Sequence, residues 1–147
     1  MSVQYASVAG ASDVNSAGQF VTTVLLEGPG LTSASRFCLI SGTVEGVRIL
    51  GRGGQAVPAI PGATYSKFTR PIINSTGRIA VWTTLKSAEG DPFVALMVDR
   101  GRGLEFVLRI GEPALEFGPG INLTQAGNSL FINAASQILV GAKTGPA

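Results

Sequence analysis

Enzymatic chemistry needs side chains that exchange protons, attack carbon or hold a metal, and this chain has few of them. Its 147 residues include no histidine, one cysteine and nine acidic residues. Without imidazole, Ser-His and Cys-His nucleophiles and histidine-based metal sites are excluded. A lone Cys38 excludes zinc sites built on several thiolates and any disulfide within one chain. It sits in the apolar run Phe37-Cys38-Leu39-Ile40, which marks it as a small buried hydrophobe. Paired carboxylates would still suffice for glycoside hydrolysis. However, Asp13, Glu27, Glu45, Glu89, Asp91, Asp99, Glu105, Glu112 and Glu116 are scattered, mostly in or beside turns, where solvated loop charge is the default. Asp91 and Asp99 lack the repeated aspartate spacing of a loop calcium site. The expectation is a non-enzyme with no catalytic residue, no metal and no cofactor.

Binding motifs fare little better. Gly51-Arg52-Gly53-Gly54 and Arg100-Gly101-Arg102-Gly103 lack the Lys-Ser/Thr ending and following helix of a phosphate loop. They read as hairpin turns with solvated arginines. Asn74-Ser75-Thr76 and Asn122-Leu123-Thr124 match the glycosylation pattern and are also read as turns. Trp82, the one tryptophan, is the candidate ligand or interface residue. Stacked on a sugar it would serve a carbohydrate-binding module. Core or subunit-interface packing is favoured, because tryptophan is enriched in both.

The elements that would position these residues are short strands. Glycine is abundant, with 20 residues, and is mixed with many Val, Ile, Leu and Thr, while charge is low. No capped amphipathic helix is visible, and the class expected is all-β. A net charge of +2 gives no reason to expect nucleic acid or a membrane as partner. No apolar run approaches the roughly 20 residues that cross a bilayer. The opening Met1-Ser2-Val3-Gln4-Tyr5 does not read as a signal peptide, so a soluble, cytoplasmically made protein is expected.

One phrase recurs. Val14-Asn15-Ser16-Ala17-Gly18-Gln19-Phe20 returns as Ile73-Asn74-Ser75-Thr76-Gly77-Arg78-Ile79, and more weakly as Ile132-Asn133-Ala134-Ala135-Ser136-Gln137-Ile138. Each is an Asn-x-x-Gly-type turn feeding an apolar strand, and the even interval of about 59 residues is the mark of a stacked repeat. Tyr5-Ala6-Ser7-Val8 and Tyr65-Ser66-Lys67-Phe68 extend the match upstream. Further strands are expected at Phe37–Ser41, Val47–Leu50, Phe93–Asp99 and Leu104–Leu108, three to a repeat, with a connecting segment as a candidate fourth. The chain reads as a single all-β domain over residues 1–147. Antiparallel sheets come from two propeller-blade-like repeats, at about 5–64 and 65–117. A C-terminal β-hairpin and partial repeat follow over 118–147, with its turn expected at Ala126-Gly127-Asn128.

The pattern Asn-x-x-Gly-Gln/Arg, strand, hairpin, strand, Gly-Glu-Pro-Ala over residues 14–114 resembles an uncharacterised family of bacterial β-propeller-like repeats. The first copy departs from it at Thr22 and in its longer exit loop. Gly118-Pro119-Gly120-Ile121-Asn122-Leu123, followed by Leu130-Phe131-Ile132-Asn133-Ala134, resembles a segment of bacteriophage tail-fibre and related virion proteins. That resemblance implies a small hairpin, often in trimers, and a virion setting. Two and a fraction repeats cannot close a ring and would leave apolar faces and strand edges uncovered, so either the chain closes into a compact sandwich or small barrel, or several copies complete a shared β assembly. The expected function is therefore a structural virion protein (a tail-fibre, tail-tip or capsid-decorating component). Its partners would be itself, as a homo-oligomer such as a trimer, and other virion proteins. A lectin module binding a surface glycan is the alternative.

Overall fold

The computed structural model describes residues 4–113 and 119–146, and among these every regular element is a β-strand. The first sheet runs β1 (Gln4–Val14), β2 (Phe20–Glu27), β3 (Phe37–Thr43) and β4 (Gly46–Arg52), in that spatial order. The second repeats it with β5 (Thr64–Ile73), β6 (Ile79–Lys86), β7 (Pro92–Asp99) and β8 (Leu104–Arg109). A third, two-stranded sheet pairs β9 (Ile121–Ile132) with β10 (Ile138–Pro146). All neighbours are antiparallel. The fold is all-β, two blade-like sheets and a C-terminal hairpin. Met1 to Val3, Ala114, Glu116 and Gly118, which the sequence reading used, lie outside the described residues.

The two large sheets agree in register as well as order. Phe20 faces Gly42 as Ile79 faces Asp99. A bulge falls between Leu39 and Ile40 in one and between Leu96 and Met97 in the other. An extra residue there bends the outer strands and sharpens the twist. Direct cross-strand partners share a face, so the register sorts every side chain. Val21 and Leu39 lie on the first-sheet face that meets the second. They pack in one core with Tyr65, Phe68, Ile79, Val81, Leu85, Ala95 and Met97. The opposite face of the second sheet, with Ala80, Trp82 and Leu96, packs on Leu130, Ala126, Ile132, Ile138 and Val140 of the third. Strand β6 is thus buried on both faces, as its unbroken apolar run Ile79-Ala80-Val81-Trp82 requires.

Four expectations of local structure need correction. The fourth strand of each large sheet lies upstream of the asparagine turn, as β1 and β5, and is not drawn from the connecting segment. Gly127-Asn128 is no hairpin turn: it lies inside the continuous strand β9, at a register shift opposite Val140 to Ala142. A Cβ on Gly127 would collide with the Gly141 carbonyl, so glycine there serves close strand approach. The hairpin turns instead at Asn133. Lastly, Asn122 is a strand residue rather than a turn residue, and Gly51 and Arg52 close strand β4 rather than forming a hairpin turn.

Candidate functional site

The recurring asparagines are brought together. Each first organises its own turn: its backbone N–H donates to the carbonyl four residues on, and its carbonyl accepts the N–H three residues on. The Asn15 Oδ1 accepts the N–H groups of Ala17 and Gln19, both at 3.0 Å. The Asn74 Oδ1 accepts those of Thr76 at 3.0 Å and Arg78 at 2.8 Å, plus the Thr76 hydroxyl at 3.0 Å. The Asn133 Oδ1 accepts that of Gln137 at 2.9 Å. Such Asx turns let a short polar side chain stand in for backbone. Gly18 and Gly77 take left-handed φ values of 72° and 79° in these turns, while the third turn puts Ser136 there at 63°.

The side-chain amide does a second job. Asn15 Nδ2 donates to the Asn74 carbonyl at 2.8 Å, and Asn74 Nδ2 donates to the Asn133 carbonyl at 2.7 Å, each step spanning 59 residues. The three turns therefore form a ladder along which each sheet hydrogen-bonds the next. Sequence showed the interval; the pairing of one asparagine with another needed the fold. Three other side-chain contacts tie sheets together. Asp13 Oδ2 accepts the Ile73 N–H at 2.9 Å. Arg48 of β4 forms an ion pair with Asp99 of β7, whose other oxygen accepts the Gly101 and Gly103 N–H groups at 2.7 and 3.0 Å. Arg70, left-handed at φ 52° in a β5 bulge, donates to the Asn128 carbonyl at 2.7 Å.

These contacts use up the two acids best placed for chemistry. Asp99 is fully buried, and its carboxylate is taken by one guanidinium and two turn amides. Asp13 is bonded to the Val14 and Ile73 N–H groups. Asp91, paired with Asp99 in the calcium reading, lies in an exposed turn, and no cluster of three metal-ligating side chains occurs among the described residues. Cys38 is buried, and desolvation pushes its thiol up to about 11 despite the nearby Arg52, so it stays protonated near neutrality. Two hollows among the described residues are open clefts. One of about 610 Å³ is lined by Ser35, Ile49, Leu50 and Arg52, and one of about 460 Å³ by Asp13, Arg70, Ile72 and Phe131.

Trp82 is 2% exposed and packs between the second and third sheets of the same chain. A sugar has no access to its ring, and the interface it serves is internal rather than between subunits. Size matching explains its place. Where the first sheet meets the second, the first presents Thr23 and Gly51 to the large Tyr65 and Phe68. A Cβ on Gly51 would lie 2.9 Å from Phe68. By register, Phe68 corresponds to Ala126 in the third sheet. The second sheet therefore supplies the bulk itself, with Trp82 and Leu108 at the positions of Thr23 and Gly51.

The site so defined is structural: a set of inter-sheet ties in a stacked antiparallel β protein. The chain belongs to a family of unknown function, DUF7453, whose pattern matches residues 1–145. Comparison with curated proteins and with solved structures gives no match.

Proposed function

We propose that this protein is a non-enzymatic structural subunit acting through homo-oligomeric β assembly. The observation that carries the proposal is an apolar face covered only at its centre, where Val24, Leu26, Cys38 and Ile40 are buried with Phe20 and Leu31 packed against them. Tyr5, Val8, Val14, Val47 and Ile49 are exposed, and cross-strand pairing puts them all on the outward face of the first sheet. Four of their five counterparts on the second sheet, Tyr65, Phe68, Ile73 and Leu104, are buried beneath the first sheet, while the fifth, Phe106, is 37% exposed. Val8 is 62% exposed against 3% for Phe68, and Val14 64% against 9% for Ile73. Exposed apolar side chains along both edge strands of one sheet face mark an interaction surface. Strand β10 adds an edge paired on one side only among the described residues.

The tail-fibre resemblance supplies the virion setting (tail fibre, tail tip or capsid decoration) and the expectation of other virion partners. It implied a hairpin turning at Gly127-Asn128, whereas those residues are mid-strand, so the proposal rests on assembly more than on setting. Light scattering after size exclusion tests it: the weight-average mass rises above that of one chain at micromolar concentration. A mass equal to a single chain across the whole concentration range refutes it.

A further inference from the structure

We infer that the outward face of the first sheet is covered by the third sheet of a second copy, head to tail, with Asn133 of one copy continuing the asparagine ladder onto Asn15 of the next. This rests on the assembly proposed above and specifies its contact.

Both contacts inside the chain follow one rule. The outgoing face carries the second cross-strand pair out from the asparagine turn: Asp13 with Val21 on the first sheet, Ile72 with Ala80 on the second. The receiving face carries the adjoining pair: Ile73 with Ile79, then Ile132 with Ile138. The outgoing asparagine donates its side-chain amide to the receiving asparagine's carbonyl. Applied to the ends, the rule names both partners. The outgoing pair of the third sheet is Phe131 with Leu139, directly opposed across β9 and β10, and 61% and 67% exposed. The receiving pair of the first sheet is Val14 with Phe20.

The polar groups match the apolar ones. Among the described residues Asn133 Nδ2 donates only to Gln137 Oε1, at 2.7 Å, which leaves one of its two hydrogens free. Among the described residues the Asn15 carbonyl accepts only the Gly18 N–H of its own turn, whereas the Asn74 and Asn133 carbonyls each accept an asparagine amide as well. One end thus offers a donor and the other an acceptor, at the step already used twice. Bulk is complementary too: Phe131 on the outgoing face would meet the smaller Val8 and Val14. A like-to-like two-fold contact would set donor against donor and leave both apolar ends half covered. The contact is therefore heterologous, closing as a ring or running on as a stack according to the rotation per step.

The test uses sedimentation velocity on the full chain and two variants, Val14→Arg and Leu139→Arg. Both positions are exposed, so circular dichroism and melting of each variant should match wild type. Wild type associates, each variant alone is monomeric, and an equimolar mixture forms a dimer and nothing larger, because each partner keeps one intact end. Asn133→Asp retains the Oδ1 acceptor for its own turn but loses the amide donor, and weakens wild-type association by about tenfold or more, the worth of one hydrogen bond of this kind. If wild type associates but either variant alone still does, or the mixture stays monomeric, this contact is wrong while assembly stands. If wild type is monomeric, both fall.

Discussion

Replacing Asn74 with alanine isolates the ladder's middle rung. Asn74 is buried, and its side chain holds the N–H groups of Thr76 and Arg78, the Thr76 hydroxyl and the Asn133 carbonyl. Alanine leaves two backbone donors and one carbonyl without these partners. Each lost hydrogen bond costs about 1 kcal/mol net, and more where water cannot replace the partner. The sum is roughly 3–5 kcal/mol, a large part of the roughly 5–15 kcal/mol that stabilises a domain. Asn133→Ala is the internal control: its side chain accepts one backbone N–H in an exposed turn, so its cost is about 1 kcal/mol. Asn74→Asp falls between, since it keeps the Oδ1 acceptor and loses the amide donor. Urea unfolding followed by tryptophan fluorescence, at a protein concentration where the chain is monomeric, reads these costs as midpoint shifts at constant slope. If Asn74→Ala costs no more than Asn133→Ala, the ladder is not what joins the sheets.

Other expectations follow from single contacts. Ser136→Gly relieves a left-handed serine at the position held by Gly18 and Gly77 in the other turns, and raises stability by about 1 kcal/mol in thermal melts. Arg48→Ala strands the buried Asp99 carboxylate with only its turn amides and costs about 2 kcal/mol or more. Arg100→Ala, which breaks an exposed pair with Glu105, costs under about 1 kcal/mol by the same unfolding assay. The Cys38 thiol is raised from its ordinary 9.0 to about 11, so the folded state keeps a proton that the unfolded chain releases. Stability from this group is full below pH 9 and declines between pH 9 and about 11, by at most about 1.4 kcal/mol per pH unit. Cys38→Ser flattens that decline, and a thiol reagent at pH 8 modifies Cys38 only as fast as the protein unfolds.

Much of the fold was open to sequence reasoning because it rests on local chemistry. Asn15, Asn74 and Asn133 announce their turns through residue type alone, and the strands after them show in runs of Val, Ile, Leu and Thr. Strand β1 was harder: Tyr5-Ala6-Ser7-Val8-Ala9-Gly10-Ala11-Ser12 has weak β propensity, and it is a strand because β2 pairs with it. Gly127-Asn128 misled for the opposite reason. Locally it resembles a hairpin turn, yet a glycine carbonyl on β10 fixes its role. Of the two acids weighed for calcium, Asp99 proved to be a tie between sheets and Asp91 a residue of an exposed turn. The Asp99–Arg48 pair spans 51 residues and left no local sign.

The amino-acid order on its own determined the class, the turns and the interval of 59 residues, because each depends on which backbone angles and hydrogen bonds a few neighbouring residues favour. Only the tertiary structure decided what that interval is for. A side-chain amide has two hydrogens, and one turn uses at most one of them. Where the other goes depends on which sheet face lies against which. That is settled by the sizes of side chains far apart in the chain, such as Gly51 beneath Phe68 and Trp82 above Ala126.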